Sequence, residues 1–599
     1  MADTALDIKG LLTDTHTLAT SVVEKFDKFV HQREEQVEEW KEIRNFLFAT
    51  DTRKTSVGAN TSWQNSTTLP KLTSIRDNLH ANYLSALFPN DDWLRWEAYT
   101  MEGASVAKRQ AIQAYMENKC REGGFREVMS QLVYDFIDTG NAFGTLEYVA
   151  EYKTDEETGE KIPQYIGPRA IRTSPYDHVF DPTAISYEAS PKITRHIKTM
   201  GELESDAQAL PGMSYNQDII DKLKETRTSL STFSIQDLDK AEGYLIDGFG
   251  TLSEYYGSGY VELLEFEGDA YDPDTGDYLK DYIITVVDRR WVIRKVPNPS
   301  WFGKASRVHV GWRERPDNLY SMGPLANLVG MQYRLDHLEN LKADAMDLNV
   351  WAPLIIQGDV EPFVYEPGAK ISIPEDGSIS RLPADSAVFQ VNNEIGYLMA
   401  MMEEFAGAPK EAMGIRTPGE KTKFEVQQLQ NAAGRIFFSK TLKFELFMEK
   451  LLNMMLEVSR RNMDGSDIIR TMDDDLGVQE FLAITKEDIT AKGKLRPVGA
   501  RNHAARAQLV QNLTTLSNTP VWQQIAPHIS SKGLAKQVEQ LLDLDKLAIV
   551  RDNVAVYEQA ETQSIMNAAQ QELEVQDATP GTEGEDDGEE FPQEEGVPQ

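Results

Sequence analysis

Gly414-Ile415-Arg416-Thr417-Pro418-Gly419-Glu420-Lys421-Thr422 is the stretch whose glycine spacing, lysine and hydroxyl invite phosphate chemistry. In the pattern G-x-x-x-x-G-K-[ST] the lysine follows the second glycine directly. Its ammonium then reaches the β- and γ-phosphates while backbone amides wrap them. Here Glu420 intervenes, displacing Lys421 by one residue and setting a carboxylate where anionic oxygens would sit. The preceding segment, 396–413, reads as helix, whereas a phosphate loop of this kind follows a buried strand. The same residues fit a helix start better: Thr422-Lys423-Phe424-Glu425 is a capping box, with Thr422 at the N-cap and Glu425 able to reach back to its amide.

Other chemistry is thin. No H-E-x-x-H or G-x-S-x-G occurs, and the nine histidines are scattered. Asp272-Pro273-Asp274-Thr275-Gly276 matches part of a calcium loop but lacks the later ligands and terminal Glu of an EF-hand, so it reads as a hairpin turn. Asp473-Asp474-Asp475 reads as a solvated acidic turn, and Asp177 and Asp181 as turn formers at strand ends. Cys120 is the only cysteine; this excludes an intrachain disulfide or a multi-cysteine metal site and suits a buried small hydrophobe in a reducing interior. These residues lead us to expect no enzyme, no cofactor and no metal.

The elements that must carry these residues alternate in type. Val22, Phe26, Val30, Val37, Trp40 and Phe46 recur at helical spacing and predict helix over 15–48. Helices are also predicted over 72–87 and over 104–138, the latter weakened at Gly123-Gly124, with Val128, Leu132, Val133 and Phe136 as core. From Gly140 the period shifts to strand, over 141–152 and 171–181. The stretch 244–310 is mostly β, with strands at 261–266, 282–287 and 291–296. Gly323-Pro324 opens a helix to about Asn349, since a first-turn proline forgoes an N–H that has no partner there. Five prolines then cut 351–389 into short β pieces suited to edges and loops. Helix returns over 393–413, and the longest helix runs from Lys423 to Arg461. Its apolar stripe is Val426, Leu429, Ala433, Ile436, Phe437, Phe444, Phe447, Leu451 and Met455. The expected class is α+β, mainly helical.

The 599 residues carry 96 acids against 61 Lys and Arg, a formal charge of −35. Eleven of those acids fall in 571–599, which has no Lys or Arg and reads as a disordered acidic tail. The rest is still acidic, unlike a protein that grips DNA through a basic face and gains from counterion release. No apolar run reaches the roughly 18–20 residues of a membrane helix, and the opening residues lack the basic and apolar regions of a secretory signal. Arg416, Lys421 and Lys423 form a local basic cluster before the long helix, and Lys492, Lys494, Arg496, Arg501 and Arg506 form a second basic stretch.

Taken in order, these segments resemble the portal (head-to-tail connector) proteins of tailed bacteriophages, those of short-tailed phages in particular. The likeness rests on Gly140-Asn141-Ala142-Phe143 before a strand, on Pro175-Tyr176-Asp177 with Phe180-Asp181-Pro182, and on Met322-Gly323-Pro324 at the head of a helix. It also rests on the succession of helix, proline-cut β module, helix, basic loop and long capped helix. The resemblance implies a wing over 1–320, a stem helix over 321–349 and a clip over 350–390. A second stem helix would follow over 391–413, a tunnel loop over 414–421, a long wing helix over 422–464, and wing and crown over 465–570. It further implies a ring of about twelve copies at one capsid vertex of the virion, made in the host cytoplasm. Double-stranded DNA would pass through that ring during packaging and ejection, in transient contact. The implied partners are the major capsid protein, the terminase large subunit, head-to-tail adaptors and scaffolding protein. Arg416, Lys421 and Lys423 would then face DNA from the tunnel loop, and Lys492, Lys494, Arg496, Arg501 and Arg506 would face it from crown or wing. Two other classes compete: a nucleotide-dependent DNA-processing ATPase using 414–422, and a virion or scaffolding protein without a channel.

Overall fold

The helical and alternating apolar periods of the sequence are realised as separate layers. The computed structural model describes residues 5–7, 15–48, 65, 67–88, 93–100, 106–154, 161–209, 215–226, 260–272, 276–298, 307–350, 353–358, 360, 363, 371–375, 377–381, 388–406, 435–463, 466–472 and 479–498. The chain divides into two compact units, Met1–Thr471 with Phe481–His503, and Met472–Glu480 with Ala504–Gln599. Almost every described residue belongs to the first.

In chain order the elements are β1 (Ala5–Asp7), α1 (Thr15–Gln32), α2 (Glu34–Phe48), α3 (Lys71–Leu87), β2 (Leu94–Ala98), α4 (Val106–Glu122) and α5 (Phe125–Asp138). Then come β3 (Asn141–Thr154), β4 (Lys161–Thr173), β5 (His178–Phe180), β6 (Lys192–Thr199), α6 (Met200–Ala209) and α7 (Gln217–Thr226). Strands β7 (Tyr260–Tyr271), β8 (Tyr278–Val287), β9 (Trp291–Pro297), β10 (Val308–Gly311), β11 (Arg313–Arg315) and β12 (Asn318–Met322) follow. The last group is α8 (Val329–Val350), β13 (Leu354–Gln357), β14 (Ser378–Arg381), α9 (Val388–Phe405), α10 (Arg435–Asn462), β15 (Ser466–Met472), β16 (Gln479–Thr485), α11 (Lys486–Ile489) and β17 (Gly493–Pro497). Among the described residues about 51% are helical and 30% are in strands, so the α+β class holds there, with helix the larger share.

The helix predicted over 15–48 is two helices, and Arg33 makes the joint. Its buried guanidinium donates to the carbonyls of Pro175 (2.5 Å), His178 (2.9 Å) and Tyr176. The helix predicted over 104–138 is likewise two, parted at Gly124, whose φ of +67° favours glycine. On α5 the buried face is Met129, Leu132, Val133 and Phe136, with Val128 only half-buried. Helix α8 begins at Val329 rather than at Pro324, because a turn and a short 3-10 segment (Ala326–Leu328) intervene.

Strands β5, β6, β7, β8 and β9 form an antiparallel meander in that order, and β1 pairs parallel to the end of β7. Alternation along β7 gives the sheet two apolar faces. Leu264 and Phe266 meet Leu18, Val22, Phe26 and Phe29 of α1, whereas Val261 and Leu263 meet Leu203 of α6 with Ile220 and Leu223 of α7. At the β7–β8 connection Asp272 N–H donates to Asp277 O (2.9 Å) and Gly276 N–H to Asp272 O (2.8 Å), the hairpin turn read from sequence.

The largest core among the described residues joins α3, α4, α5 and α10 with β10-β3-β4 and the β2–β17 pair. Phe444, Phe447, Leu451 and Met455 of the predicted α10 stripe are buried there. Ile436 is exposed, since it lies a quarter-turn away from the half-buried Phe437. The stripe's first residues, Val426, Leu429 and Ala433, lie outside the described residues, as does the capping box at Thr422. Cys120 is buried in this core and burial pushes its thiol pKa up, as befits a packing residue.

Candidate assembly interface

Helix α8, the β13–β14 pair and α9 form a helical hairpin with a small antiparallel β tip, Leu354 to Gln357 facing Arg381 to Ser378. The two helices pack on each other. At the inner end Leu335 and Leu338 of α8 and Ile395 and Met402 of α9 are buried in the main core. Beyond Leu338 no residue of α8 is buried. Yet that outer half is only partly polar: Leu341, Met346, Leu348 (51% exposed) and Val350 (68%) stand in solvent. Ile355 and Ile356 on β13 and Tyr397 (61%) on α9 continue the exposure. Single exposed apolar residues are ordinary, whereas several concentrated on one projecting element mark a surface for association.

A dense titratable cluster lies elsewhere among the described residues, on the meander sheet. Buried Arg307 donates to Glu265 Oε1 (2.7 Å) and to Glu267, and Arg294 bonds to the other oxygen of Glu265. The cations Arg307 and Arg294, with His196, hold the Glu265 carboxyl far below the usual carboxylate range against its burial. Burial works against the charge on Arg307, but the carboxylates of Glu267 and Glu265 outweigh it, raise its pKa and leave it firmly protonated. Lys192 is pushed down to about 8 by burial. Buried His178 spans Thr194 Oγ1 (2.8 Å) and the Tyr187 hydroxyl (2.8 Å), and burial with nearby Arg307, Lys192 and Arg33 drives its pKa well down. His309 is pushed down to about 3 by burial and the Lys450 and Lys192 charges, and its Nε2 meets Asn141 Oδ1 at 3.0 Å. Each group is matched to a neighbour inside the fold, so the cluster locks β6, β7, β9 and β10 together. In sequence its signal was the Glu265–Phe266–Glu267 alternation in the β7 strand, a pattern that also fits a solvated face.

Arg416, Lys421, Lys423, Arg501 and Arg506 lie outside the described residues. Lys492, Lys494 and Arg496 fall in and beside β17, which pairs antiparallel with β2. Lys492 is exposed. Lys494 Nζ lies 3.0 Å from Glu449 Oε1, and Arg496 lies 3.2 Å from Glu97 and 3.6 Å from Glu449. The structure thus brings Lys494 and Arg496 together on one carboxylate of α10, a partner that linear sequence does not reveal. Basic residues that sequence reading passed over gather on Trp312. The Lys440 ammonium lies over its ring at 4.6 Å and donates to its carbonyl, and the Arg313 guanidinium lies at 5.3 Å. Lys443 beside them is paired to Glu314 at 2.9 Å.

Among the described residues no helix is long and apolar enough to cross a membrane. No family model and no curated protein matches the chain.

Proposed function

We propose that the chain is a portal-type conduit, many copies of which close into a ring through which double-stranded DNA is packaged and ejected. The observation that carries this reading is the α8–β13–β14–α9 hairpin, anchored at one end and bearing exposed apolar side chains on its outer half. Those side chains gain burial if neighbouring copies pack hairpin against hairpin about an axis, at roughly 25 cal/mol per Å² removed from water. The sequence order supports the same reading, since α10, the long helix of the resemblance, follows the hairpin and the 414–421 loop. Net charge of −35 suits a channel that lets phosphates slide, because a strongly basic lining would hold DNA by counterion release. In this reading the capsid protein, terminase and adaptors dock on the outside and tip of the ring, and the motor is a separate ATPase.

Averaged electron micrographs of the purified protein test it, and should show rings with a central hole. Leu348→Asp with Val350→Asp should shift particle mass toward the single subunit while leaving circular dichroism unchanged. A wild-type protein that stays a single compact subunit, or that hydrolyses nucleotide alone, overturns the proposal.

A further inference from the structure

One polar stripe of α8 carries Gln332, Asp336, Asn340, Asp344 and Asp347, close to one residue per helical turn. The chain leading into α3 lies along that stripe, and alternate residues answer its spacing. Leu69 N–H donates to Asp336 Oδ1 (2.9 Å), Thr67 N–H to Asn340 Oδ1 (2.7 Å) and Asn65 N–H to Asp344 Oδ1 (2.7 Å). Return bonds run from Gln332 Nε2 to Leu69 O (2.6 Å) and from Asn340 Nδ2 to Thr67 O (3.1 Å). Asn65 Nδ2 donates to Asp344 (3.0 Å) and Asp347 (2.8 Å). The fit is one of repeat lengths: four helical residues rise about 6 Å and two extended residues about 6.6 Å. Three successive acceptors therefore meet three alternate amides before the repeats drift apart. Two residues on, Lys71 at the start of α3 is paired with Glu403 of α9, both side chains largely buried. Asn65, Thr67, Leu69 and Lys71 thus touch both helices of the hairpin.

The bonding is lopsided along α8. The inner end, to Leu338, is packed in the apolar core, whereas Asn340, Asp344 and Asp347 meet the strap by polar contacts alone. Thr67 is exposed and Asn65 half-buried, so water competes for these bonds. Core packing of that kind opens only with the whole fold, while solvent-accessible polar bonds open locally.

We propose that Asn65, Thr67, Leu69 and Lys71 form a releasable latch that fixes the outer half of α8, and that unlatching frees the hairpin to move about the α8 turn near Leu338. This goes beyond the conduit reading and does not depend on it, since the latch is internal to one chain. It gives the hairpin two states: clamped to the helical body, or pivoting on its apolar inner end.

Amide hydrogen exchange on the full-length protein, followed by mass spectrometry, tests it. In the wild type, amides over 65–69 and 340–350 should exchange at least tenfold faster than those over 444–456. Asn340→Ala with Asp344→Ala removes two acceptors from a solvent-facing stripe. It should speed exchange over 65–69 and over 340–350 together, by at least a further tenfold, with 444–456 unchanged. Asp344→Asn, which keeps an acceptor, should behave as wild type. Three results overturn the latch: no change over 65–69, acceleration there without acceleration over 340–350, or acceleration of 444–456 in parallel. The first makes the bonds inert, the second makes the strap a passive ornament, and the third makes it part of the global fold.

Discussion

Gly140 and Gly323 stand back to back. A Cβ on Gly140 would lie 2.3 Å from the Gly323 nitrogen, and one on Gly323 would lie 2.7 Å from the Ile137 carbonyl oxygen. Asn141 seals the contact, accepting from Ser321 N–H (2.9 Å) and donating to Ser321 O (2.9 Å) across a separation of 180 residues. The turn from α5 into β3 and the approach to α8 are therefore one feature, which holds the root of the hairpin against the main core.

Gly140→Ala should accordingly be among the most damaging small substitutions in the protein. Its φ of +75° alone costs a residue with a Cβ about 1–3 kcal/mol, and the close Gly323 backbone leaves no direction in which to relax. Urea unfolding should show a loss of at least that size. Gly201→Ala is the control, because nothing lies within 4 Å of a Cβ there and its φ is not positive, so it should be close to neutral. Equal stabilities for the two variants would contradict the account.

Elements whose burial pattern matches their own period were legible before the fold was known. Helix α3, the three main meander strands and the buried face of α10 fall close to where the spacing of Leu, Val and Phe puts them. Tertiary partners decided what was not legible. The break between α1 and α2 depends on Arg33 finding carbonyls more than 140 residues away, and no local rule announces it. The opposed glycines were visible as two separate punctuation marks, at 140 and 323, with nothing to say that they touch. On the candidate interface, the helix–β–helix order was readable from proline density and helical period. The uncovered apolar outer half was not, because Leu341, Met346 and Leu348 look like core residues until the rest of the chain is placed.

Arg307 gives a test of the buried charges. Its guanidinium serves buried Glu267 and half-buried Glu265, the latter also held by Arg294, so Arg307→Met takes a cation away from both carboxylates. Removing one side of such a network typically costs about 3–5 kcal/mol, well beyond the loss of a surface pair. Adding Glu267→Gln and Glu265→Gln to Arg307→Met should recover part of that loss, because neither carboxylate facing the lost guanidinium then carries charge. The recovery is partial because Arg294 stays charged and gives up its bond to the Glu265 carboxylate. Thermal unfolding of the single and triple variants reads the difference. A triple variant less stable than the single would mean that packing, not charge, dominates there.

Asp336 sets a pH dependence with a definite sign. Burial pushes its carboxyl up to about 6, against hydrogen bonds from Leu69 and Gln332 that pull it down. The folded state therefore prefers the proton. Its contribution is full below the unfolded value of 3.8 and is lost as pH rises through about 6. Asn at this position mimics the protonated form and keeps the acceptor for Leu69. Asp336→Asn should thus gain on wild type between pH 4 and pH 6.5, by about 1–3 kcal/mol at the upper end. His178, whose pKa is lowered, works the other way: its contribution is present above its unfolded value of about 6.5 and is lost as pH falls. Both proteins share it, so it cancels in the difference. Urea unfolding of the pair at several pH values decides the matter, and a difference independent of pH would refute the assignment.

Glu449 carries the last prediction, which joins the ion pairs of β17 to the conduit reading. Its carboxylate sits 3.0 Å from Lys494 and 3.6 Å from Arg496, so it holds the positive charge of this stretch in check. Glu449→Gln removes that balance while Arg496 keeps Glu97 at 3.2 Å. The stability loss should be about 0–1 kcal/mol, as for other solvent-screened pairs. If these cations meet passing phosphates, the variant should bind duplex DNA severalfold more tightly at low salt. The slope of log affinity against log salt should steepen by about 0.9 for each phosphate newly neutralised. Fluorescence anisotropy with a labelled duplex reads both quantities, and a conduit made to stick in this way should also package or release DNA more slowly. Unchanged affinity and slope would place Lys494 and Arg496 in the fold's own electrostatics and away from the path of the DNA.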